Sequence, residues 1–552
     1  MLKSKKWLSW ILPGLVFIIG IGLSLALQIH SRDGVFFSSD AGLKALLAQQ
    51  FSTGNWQASL EISQPDWVQT LWRQGLYPFA PPYVYEQQGN YFITFPFTFP
   101  AITAPFYALM GHHGLYVVPL ISLWVTWLRL WHVCSVWRIH SGITAIGMAV
   151  VIVASPLTLY GAMYWEHTLA VALAFWGLSG MLLHALPKGQ TNRISVNQAL
   201  VNGVCVGLAV WFRPEFLCLV LILGTLTGTS RLSQLPVWCR AVLPRRLTLS
   251  LVIAFTGAMV LTVLGLLGIN TVAYGSPMGV YVEQGAESLG QRLGQIGGNY
   301  GHMVMSLLRY FPASLLGLGL PWLLRGRARS TGLILLAIGG VFAIAAPVIS
   351  PPATHDLQWG PRQYLILVPI TGLLVAAGLQ HLWPVGQKRW GLLGAIAFVM
   401  ALGIHTNLVN GGLQPYRDRL TNSTSLPSTY EPVAPAIVAL ANYEERWVAM
   451  SQQQVAHQLW PSVQLKTFFR TETDEALKQL ATELVNQGES SFLYICASDT
   501  PCPVADQGML TLRQIKGNNN DEVPMRVSFK SLGTFGKYPF YRGLIQINKS
   551  SK

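Results

Sequence analysis

Long apolar runs separated by short polar segments fill most of this sequence. A helix needs about 20 apolar residues to cross the hydrocarbon core of a membrane, and runs close to that length recur up to about residue 409. They occupy positions 7–28, 114–136, 143–164, 168–186, 196–212, 215–230, 248–269, 303–324, 331–350, 363–385 and 391–409. The pattern predicts about eleven transmembrane helices. No small-residue cleavage site follows the first run, so we expect a retained helix and not a signal peptide.

The basic residues decide whether residues 196–230 form one membrane span or two, since each of the two apolar runs there is short for a span. Lysine and arginine concentrate in the cytoplasmic loops of membrane proteins. If two spans meet near Pro214, every later basic cluster lies on the same side of the membrane as the N-terminal lysines. If there is one span, all of these clusters lie on the outer side. We therefore expect two spans and a cytoplasmic N-terminus. On this count the acidic residues of the membrane part all lie on the outer side, including Asp40, Glu166 and Glu215 at span ends.

The composition agrees with a polytopic membrane protein, since 51% of the residues are hydrophobic and 11% are charged. The net charge of +14 does not indicate binding to nucleic acid, because the basic surplus lies in short loops without interleaved aromatic residues. The cysteine and histidine spacings match no zinc site, and the outer acids are not grouped in a ligand spacing. We expect no metal and no other cofactor.

The sequence becomes polar at about residue 410 and loses its long apolar runs. Short buried strands are predicted at 447–450 and 491–496, and apolar positions at helical spacing predict a helix over 474–486. This part of the chain is therefore expected to form a small α/β domain.

The predicted organisation has two domains. Residues 1–409 form an all-α membrane domain with a long outer loop at 28–113, and residues 410–552 form the extracytoplasmic α/β domain. Cys496 and Cys502 of that domain could form a disulfide, because extracytoplasmic compartments are oxidising. The domain carries neither a glycine-rich phosphate loop nor a nucleophile motif, so we expect an accessory role for it and not a catalytic one.

The outer loop at 28–113 holds most of the candidate chemistry. Residues 41–50 have helical propensity with apolar positions on one side, which is consistent with a helix along the membrane surface. Asp40 would cap that helix and favour its dipole, and a catalytic role is compatible with capping. Prolines and aromatic residues between 77 and 105 suit either a membrane-interface belt or a sugar-stacking face.

Several short motifs follow one another along residues 7–409. Asp40 comes after the first span, a proline-rich segment precedes the second, and Tyr164-Trp165-Glu166-His167-Thr168 lies between the third and fourth. Downstream come Gly203 with Gly207-Leu208-Ala209-Val210-Trp211-Phe212-Arg213-Pro214-Glu215, Asn270 with Tyr274-Gly275-Ser276-Pro277, and Trp359-Gly360-Pro361-Arg362-Gln363-Tyr364. This order resembles the C-type (GT-C) superfamily of multi-pass glycosyltransferases that use polyprenyl-phosphate sugars, such as protein mannosyltransferases and aminoarabinose transferases.

The resemblance implies a multi-pass enzyme of the cell (inner) membrane. Such an enzyme moves a sugar from a polyprenyl-phosphate donor to a lipid, glycan or protein acceptor on the extracytoplasmic side. The acidic residue of the first outer loop is the usual general base, which here implies Asp40. Many members carry an acidic pair or doublet at this point, whereas Ala41 follows Asp40 here, so Asp33 is kept as the reserve base.

The chemistry of glycosyl transfer gives the remaining residues their expected roles. Inverting transfer requires a carboxylate to take the proton of the acceptor hydroxyl and a cation to hold the leaving phosphate. Arg213 and Arg362 each lie beside proline at the outer end of a span, where a guanidinium can bind phosphate bidentately. For Arg213 the alternative is an ion pair with Glu215 or another acid. Glu166 and His167 would order the base or bind acceptor hydroxyls, or else cap a short outer turn.

Three other functions are compatible with parts of the pattern. A polysaccharide polymerase or ligase shares the architecture but favours an arginine-rich outer loop late in the chain. In this sequence Arg292 is the only arginine between Asn270 and His302. A transporter or flippase would place charges near the membrane midplane and show internal repeats, neither of which we detect. A non-enzymatic assembly or receptor protein is the third alternative.

Overall fold

The computed structural model describes residues 4–28, 36, 40–183, 195–229, 248–280, 289–349, 360–384, 386–413, 433–497, 501–504, 509–516 and 521–547. Clusters of packed residues divide the chain into two units. The first unit comprises Met1–His30 and His113–Ser423, and the second comprises Ser31–His112 and Thr424–Lys552.

Helices make up most of the described chain and are labelled in chain order. They are α1 (Ser4–Gln28), α2 (Asp40–Ser52), α3 (Asp66–Leu71), α4 (Thr98–Met110), α5 (Val117–Val136), α6 (Ser141–Val153), α7 (Leu157–Gly161), α8 (His167–Leu183), α9 (Val196–Phe212), α10 (Leu217–Thr229), α11 (Leu249–Tyr274), α12 (Leu289–Tyr310), α13 (Ser314–Leu323), α14 (Gly326–Ile349), α15 (Leu367–Leu382), α16 (Gly386–Ile404), α17 (Ala434–Asn442), α18 (Gln453–Gln458) and α19 (Asp474–Asn486). The described strands are β1 (Val84–Gln87), β2 (Asn90–Ile93), β3 (Trp447–Met450), β4 (Thr467–Arg470), β5 (Ser491–Ile495), β6 (Met509–Lys516), β7 (Asp521–Phe535) and β8 (Tyr538–Ile547).

Each apolar run of the sequence contains at least one helix of the structure. Within the described ranges, five helical segments are long and apolar enough to cross a membrane: Trp10–Gln28, Thr98–Val136, Leu249–Tyr274, Arg329–Val348 and Arg389–Gly412. Shorter apolar helices accompany them, at Ser141–Val153, His167–Leu182, Val196–Phe212, Pro214–Gly228 and Leu367–Leu382. The chain is a polytopic membrane protein, as its hydrophobic pattern predicts.

Two of the predicted runs are broken helices. The run at 143–164 forms α6 and α7, which separate at Ser155 and Pro156 because proline has no N–H to continue the helix. The Ser155 hydroxyl accepts a hydrogen bond from the Leu157 N–H at 3.2 Å at the start of α7. The run at 303–324 forms α12 and α13, and the chain bends by 86° between them.

Small residues allow two helices of the first unit to approach closely. Gly203 and Gly207 lie one turn apart on α9 and face α11. A Cβ on Gly203 would lie 2.2 Å from the carbonyl oxygen of Phe255, and a Cβ on Gly207 would lie 2.8 Å from that of Met259. Small residues four positions apart let helix backbones touch in membranes, where van der Waals packing drives association. These glycines of the sequence motif therefore have a packing role.

The second unit contains a mixed six-stranded sheet with the strand order β4-β3-β5-β8-β7-β6. Strand β3 pairs in parallel with β4 and β5, and the remaining neighbours pair antiparallel. The two strands and the helix predicted for the C-terminal part are confirmed as β3, β5 and α19. Cys496 and Cys502 form a disulfide directly after β5. The predicted fold class, helical membrane spans with a small C-terminal α/β part, is therefore confirmed.

The segment between the first two spans that the sequence predicts belongs to the second unit. Ser31–His112 groups with Thr424–Lys552, whereas the sequence analysis assigned this segment, as a loop, to a membrane domain over 1–409. The difference arises because the segment is folded: it contains α2, α3, β1, β2 and α4. Its side chains contact the C-terminal part directly, and Trp72 Nε1 donates a hydrogen bond to the carbonyl oxygen of Phe468 at 3.2 Å.

Candidate active site

Asp40 is the first residue of α2, and its side chain is buried. The residue is 7% exposed, and its place in the first turn favours the interaction of its charge with the helix dipole. Residues 41–48 are buried as well, because α4, α18 and the turn at Trp460–Ser462 pack around this helix. The sequence predicts the helix correctly but not its burial, since the expected helix lay along the membrane surface.

Lys44 is the charged partner of Asp40 within α2. Its Nζ lies 3.8 Å from Asp40 Oδ2, and the residue is 1% exposed. The spacing of four residues places both side chains on one face of the helix. The ammonium group also lies 4.3 Å from the centre of the Phe95 ring, in a cation–π contact. Since a buried charge requires a partner, each of the two charged groups satisfies the other.

His457, from the C-terminal part, lies against the same end of α2. Gly42 packs on it so closely that a Cβ would lie 1.9 Å from the His457 carbonyl oxygen. The imidazole is fully buried; it stacks on Phe79 with ring centres 5.3 Å apart and meets Tyr83 edge-on at 5.0 Å. Burial lowers the pKa of His457 to about 3, and the nearby Asp40 carboxylate opposes this shift. The ring is therefore uncharged at neutral pH.

Arg213 joins two carboxylates in the first unit. Its Nε donates a hydrogen bond to Glu215 Oε1 at 2.8 Å, and its Nη1 donates to Glu166 Oε1 at 3.2 Å. All three residues are buried. The ion pair of Arg213 with Glu215, which the sequence left as an alternative, is present, and Glu166 adds a second.

The local sequence explains how these side chains meet. Helix α9 ends at Phe212 because Pro214 lacks an N–H and disfavours helical backbone at the residue before it. Arg213 is accordingly extended, with φ of −141° and ψ of 108°. Glu215 follows in a short 3-10 turn that leads into α10, and Glu166 directly precedes α8. The break also agrees with the two helices expected between 196 and 230.

His167 is the first residue of α8, and its ring lies in an aromatic cluster. The ring centres of Tyr160 and Trp165 are 5.1 Å and 5.2 Å from that of His167. The residue is 3% exposed. At the next position, the Thr168 hydroxyl donates a hydrogen bond to the carbonyl oxygen of Pro119 at 3.1 Å. This stretch of the motif is therefore packed inside the first unit.

Arg362 lies at a tight turn before α15 and is half-buried. Gly360 precedes it with a φ of +73°, a left-handed conformation that favours glycine, and a Cβ there would lie 3.1 Å from the Tyr310 ring. The 3-10 turn that begins at Arg362 is anchored by Tyr364, whose hydroxyl donates a hydrogen bond to the carbonyl oxygen of Ala343 at 2.8 Å. The backbone that carries Arg362 is thus fixed on both sides.

The structure distributes the expected site residues over both units. Glu166 and Arg213 meet in the first unit, and Arg362 belongs to the same unit. Asp40 belongs to the second unit. Asp33, the reserve base, lies outside the described residues. Within the part of the chain that the structure describes, no group of three or more His, Cys, Asp or Glu side chains is arranged to hold a metal ion.

Two neighbours of Asp40 were not among the residues that the sequence pointed to as a site. Lys44 has a signal in the sequence, because an acid and a base four positions apart share a helix face. His457 has none, since it lies in a different segment of the chain and only the fold brings it to α2.

Comparison with known proteins identifies the fold. No protein-family model and no curated protein sequence matches the chain. The crystal structure of ArnT from Cupriavidus metallidurans bound to undecaprenyl phosphate is similar to this one, with a TM-score of 0.56 and 13% identity over 95% of this chain and 97% of that chain. The chain has the fold of the C-type glycosyltransferases. ArnT in its apo state gives a TM-score of 0.53 at 12% identity, over 98% of each chain. The fold that the order of motifs implied is confirmed.

Proposed function

We propose that this protein is an integral membrane glycosyltransferase with Asp40 as its general base. It transfers a sugar, with inversion, from a polyprenyl-phosphate donor to an acceptor on the extracytoplasmic side. The likeness of its fold to that of ArnT over 95% of the chain carries the proposal. Because that ArnT structure holds undecaprenyl phosphate, polyprenyl phosphates are the donor class to test first.

The proposed reaction needs one proton acceptor and one site for a leaving phosphate. The hydroxyl oxygen of the acceptor attacks the anomeric carbon of the sugar from the side opposite the phosphate. A new bond forms between carbon and oxygen while the bond from the anomeric carbon to the phosphate oxygen breaks. The hydroxyl proton goes to the Asp40 carboxylate, and the electron pair of the broken bond leaves with the phosphate. The lipid-linked sugar is a substrate, and the proposal includes no cofactor.

The surroundings of Asp40 support its role as the base. The carboxylate is largely withdrawn from water, and Lys44 supplies the opposite charge that a buried carboxylate requires. Its position on a buried helix restricts its movement, which favours a fixed geometry for proton transfer.

Arg362 is the residue that we propose to hold the phosphate. It is half-buried on a fixed turn, and a guanidinium presents paired N–H donors that match the oxygens of a phosphate. Arg213 donates hydrogen bonds to Glu166 and Glu215. Phosphate binding by Arg213 stays a prediction. Acceptor binding by Glu166 and His167 also stays a prediction, since both are almost fully buried.

The disulfide between Cys496 and Cys502 supports an extracytoplasmic second unit, because such bonds persist in oxidising compartments. Asp40 belongs to the same unit, so the proposed base would act on that side of the membrane. The N-terminus would then be cytoplasmic, in keeping with the distribution of basic residues.

Membrane vesicles that contain the protein test this function. They are supplied with undecaprenyl-phosphate-linked mannose, glucose or arabinose carrying a labelled sugar. We expect one of these donors to be consumed, with formation of undecaprenyl phosphate and a labelled product that is no longer attached to it. Movement of the labelled lipid across the membrane with no such product would indicate a transporter or flippase instead.

A further inference from the structure

An arginine lies among the helices of the first unit, away from the residues of the candidate active site. Arg129 belongs to α5 and is 7% exposed. Its Nε donates a hydrogen bond to the Ser179 hydroxyl at 2.7 Å, and its Nη2 donates to the carbonyl oxygen of Trp176 at 3.3 Å. Both acceptors belong to α8, and both are uncharged. These bonds fix the direction of the guanidinium but do not balance its charge.

The charge of Arg129 has no acidic counterpart in the surrounding helices. Helices α1, α6, α7, α8 and α15 pack on α5, and neither they nor α5 contains an aspartate or a glutamate. Among the described residues, none of the ion pairs includes Arg129. Arginine stays charged in proteins, and a charge within a membrane span is costly unless it is paired. An anion from outside the chain would supply the missing charge.

The contacts between α5 and α8 show how far along the two helices this arginine lies. At one end, the Thr168 hydroxyl donates a hydrogen bond to the carbonyl oxygen of Pro119 at 3.1 Å. Arg129 and Ser179 lie about 15 Å further along their helices, and Ser179 is about one turn from the end of α8. The two helices therefore run parallel, and the guanidinium lies towards the end that is remote from Glu166.

That end of the helices faces the cytoplasm in the proposed orientation, because basic residues follow both α5 and α8 in the sequence. The guanidinium also borders a surface that faces lipid. The Trp176 ring lies against it, with Arg129 Cζ 4.5 Å from the ring centre, and Trp176 is 38% exposed. Leu128, the neighbour of Arg129 on α5, is exposed as well. Tryptophan and arginine side chains are typical of the level where hydrocarbon meets the lipid head groups.

We propose that Arg129, held in place by Ser179 and Trp176, binds the phosphate of an anionic phospholipid in the cytoplasmic leaflet. Its Nη1 has no hydrogen-bond partner among the described residues and can donate to a phosphate oxygen. The net negative charge of the head group balances the guanidinium, as at other basic sites between transmembrane helices. The acyl chains lie against the apolar surface that includes Leu128. This site is remote from the proposed reaction and does not depend on it.

Lipid binding to the full-length protein, freed of lipid in a non-ionic detergent, tests this site. Phosphatidylglycerol is the probe, with its affinity measured by native mass spectrometry and the lipid-dependent rise in Tm measured by thermal unfolding. Arg129→Gln keeps an N–H donor for Ser179 but removes the charge. A hydrogen bond to a charged group corresponds to a factor of about 10 to 100, so we expect Arg129→Gln to bind phosphatidylglycerol more weakly by about that factor. The rise in Tm should be lost with it.

Arg325→Gln is the matched control. Arg325 is an exposed basic residue directly before α14 and is expected on the same side of the membrane. This variant should bind phosphatidylglycerol as the wild type does. A purely structural role of Arg129 would lower the Tm of Arg129→Gln without lipid and leave the lipid-dependent rise unchanged, and that result would overturn the proposal.

Two further probes identify the anion. Phosphatidylcholine carries a phosphate but no net charge, and inorganic phosphate has no acyl chains, so we expect weaker binding of the first and no rise in Tm with the second. Equal affinity for the two phospholipids, or a rise in Tm with inorganic phosphate alone, would overturn the assignment to an anionic lipid. If Arg129→Gln does not fold, Arg129→Lys replaces it. A lysine lacks the paired donors of the guanidinium, so wild-type affinity of Arg129→Lys for phosphatidylglycerol would then overturn the site.

Discussion

Lys44 and Asp40 form a buried ion pair one helical turn apart, with the Lys44 Nζ 3.8 Å from Asp40 Oδ2. The pair lies at the start of α2, a helix that is buried along most of its length. Each of the two charges offsets part of the cost of burying the other. The proposed base is therefore also part of the structural support of the second unit.

This dependence predicts that a single substitution is more harmful than the pair of substitutions. Lys44→Met removes the cation that lies 3.8 Å from the buried Asp40 carboxylate, and we expect the free energy of unfolding to fall by about 3–5 kcal/mol. Lys44→Met combined with Asp40→Asn removes both charges and should recover most of that loss. Thermal unfolding in detergent measures both variants. A double variant as unstable as Lys44→Met would contradict the buried pair.

The contact at Gly42 predicts that this position accepts no larger residue. An alanine Cβ would lie 1.9 Å from the carbonyl oxygen of His457, so either α2 or α18 must move. We expect Gly42→Ala to lower the free energy of unfolding by about 1–3 kcal/mol and to reduce transfer activity. Gly257→Ala is the matched control, because no atom lies within 4 Å of its added Cβ. Equal stability of the two variants would disprove the close approach.

The cluster around Arg213 predicts unequal effects of its members on stability. Arg213→Gln removes the guanidinium that binds both Glu166 and Glu215, whereas Glu166→Gln keeps the ion pair of Arg213 with Glu215. We expect Arg213→Gln to lower the Tm in detergent clearly more than Glu166→Gln does. Similar Tm values for the two variants would show that the guanidinium does not hold both acids.

The depressed pKa of His457 predicts a stability that falls in acid. The pKa is about 3 in the folded protein, against an ordinary value of 6.5. Between these values the unfolded chain binds a proton that the folded protein excludes, so the free energy of unfolding decreases as the pH is lowered below about 6.5. The decrease is at most about 1.4 kcal/mol per pH unit from this group. Unfolding measured at pH 7 and pH 5 should show a smaller difference in His457→Phe, and an unchanged difference would contradict the assignment.

The features predicted correctly from the sequence are those with a local signal. Apolar runs indicate the helices, Pro214 indicates the break between α9 and α10, and alternation and composition indicate β3 and β5. The helix that begins at Asp40 is also visible in the propensities of residues 41–50. In each case the physical cause lies within a few residues of the element itself.

Features that depend on distant parts of the chain could not be predicted in this way. Helix α2 is buried because α18 and α4 pack on it. The sequence around residue 40 does not indicate either of these helices. The second acid at Arg213 is Glu166, which approaches only because α8 and α9 pack side by side. His457 reaches α2 through the fold of the second unit, so neither spacing nor periodicity near Asp40 reveals it.

Transfer by Asp40→Asn tests the central claim most directly. Its matched control is Asp66→Asn, because Asp66 is likewise the first residue of a helix in the second unit but is exposed. In vesicles with the labelled undecaprenyl-phosphate sugar that the wild type consumes, we expect Asp40→Asn to lower transfer by about 100- to 10,000-fold. Asp66→Asn should keep wild-type transfer. Wild-type transfer by Asp40→Asn, alone or combined with Lys44→Met to maintain the fold, would contradict the account.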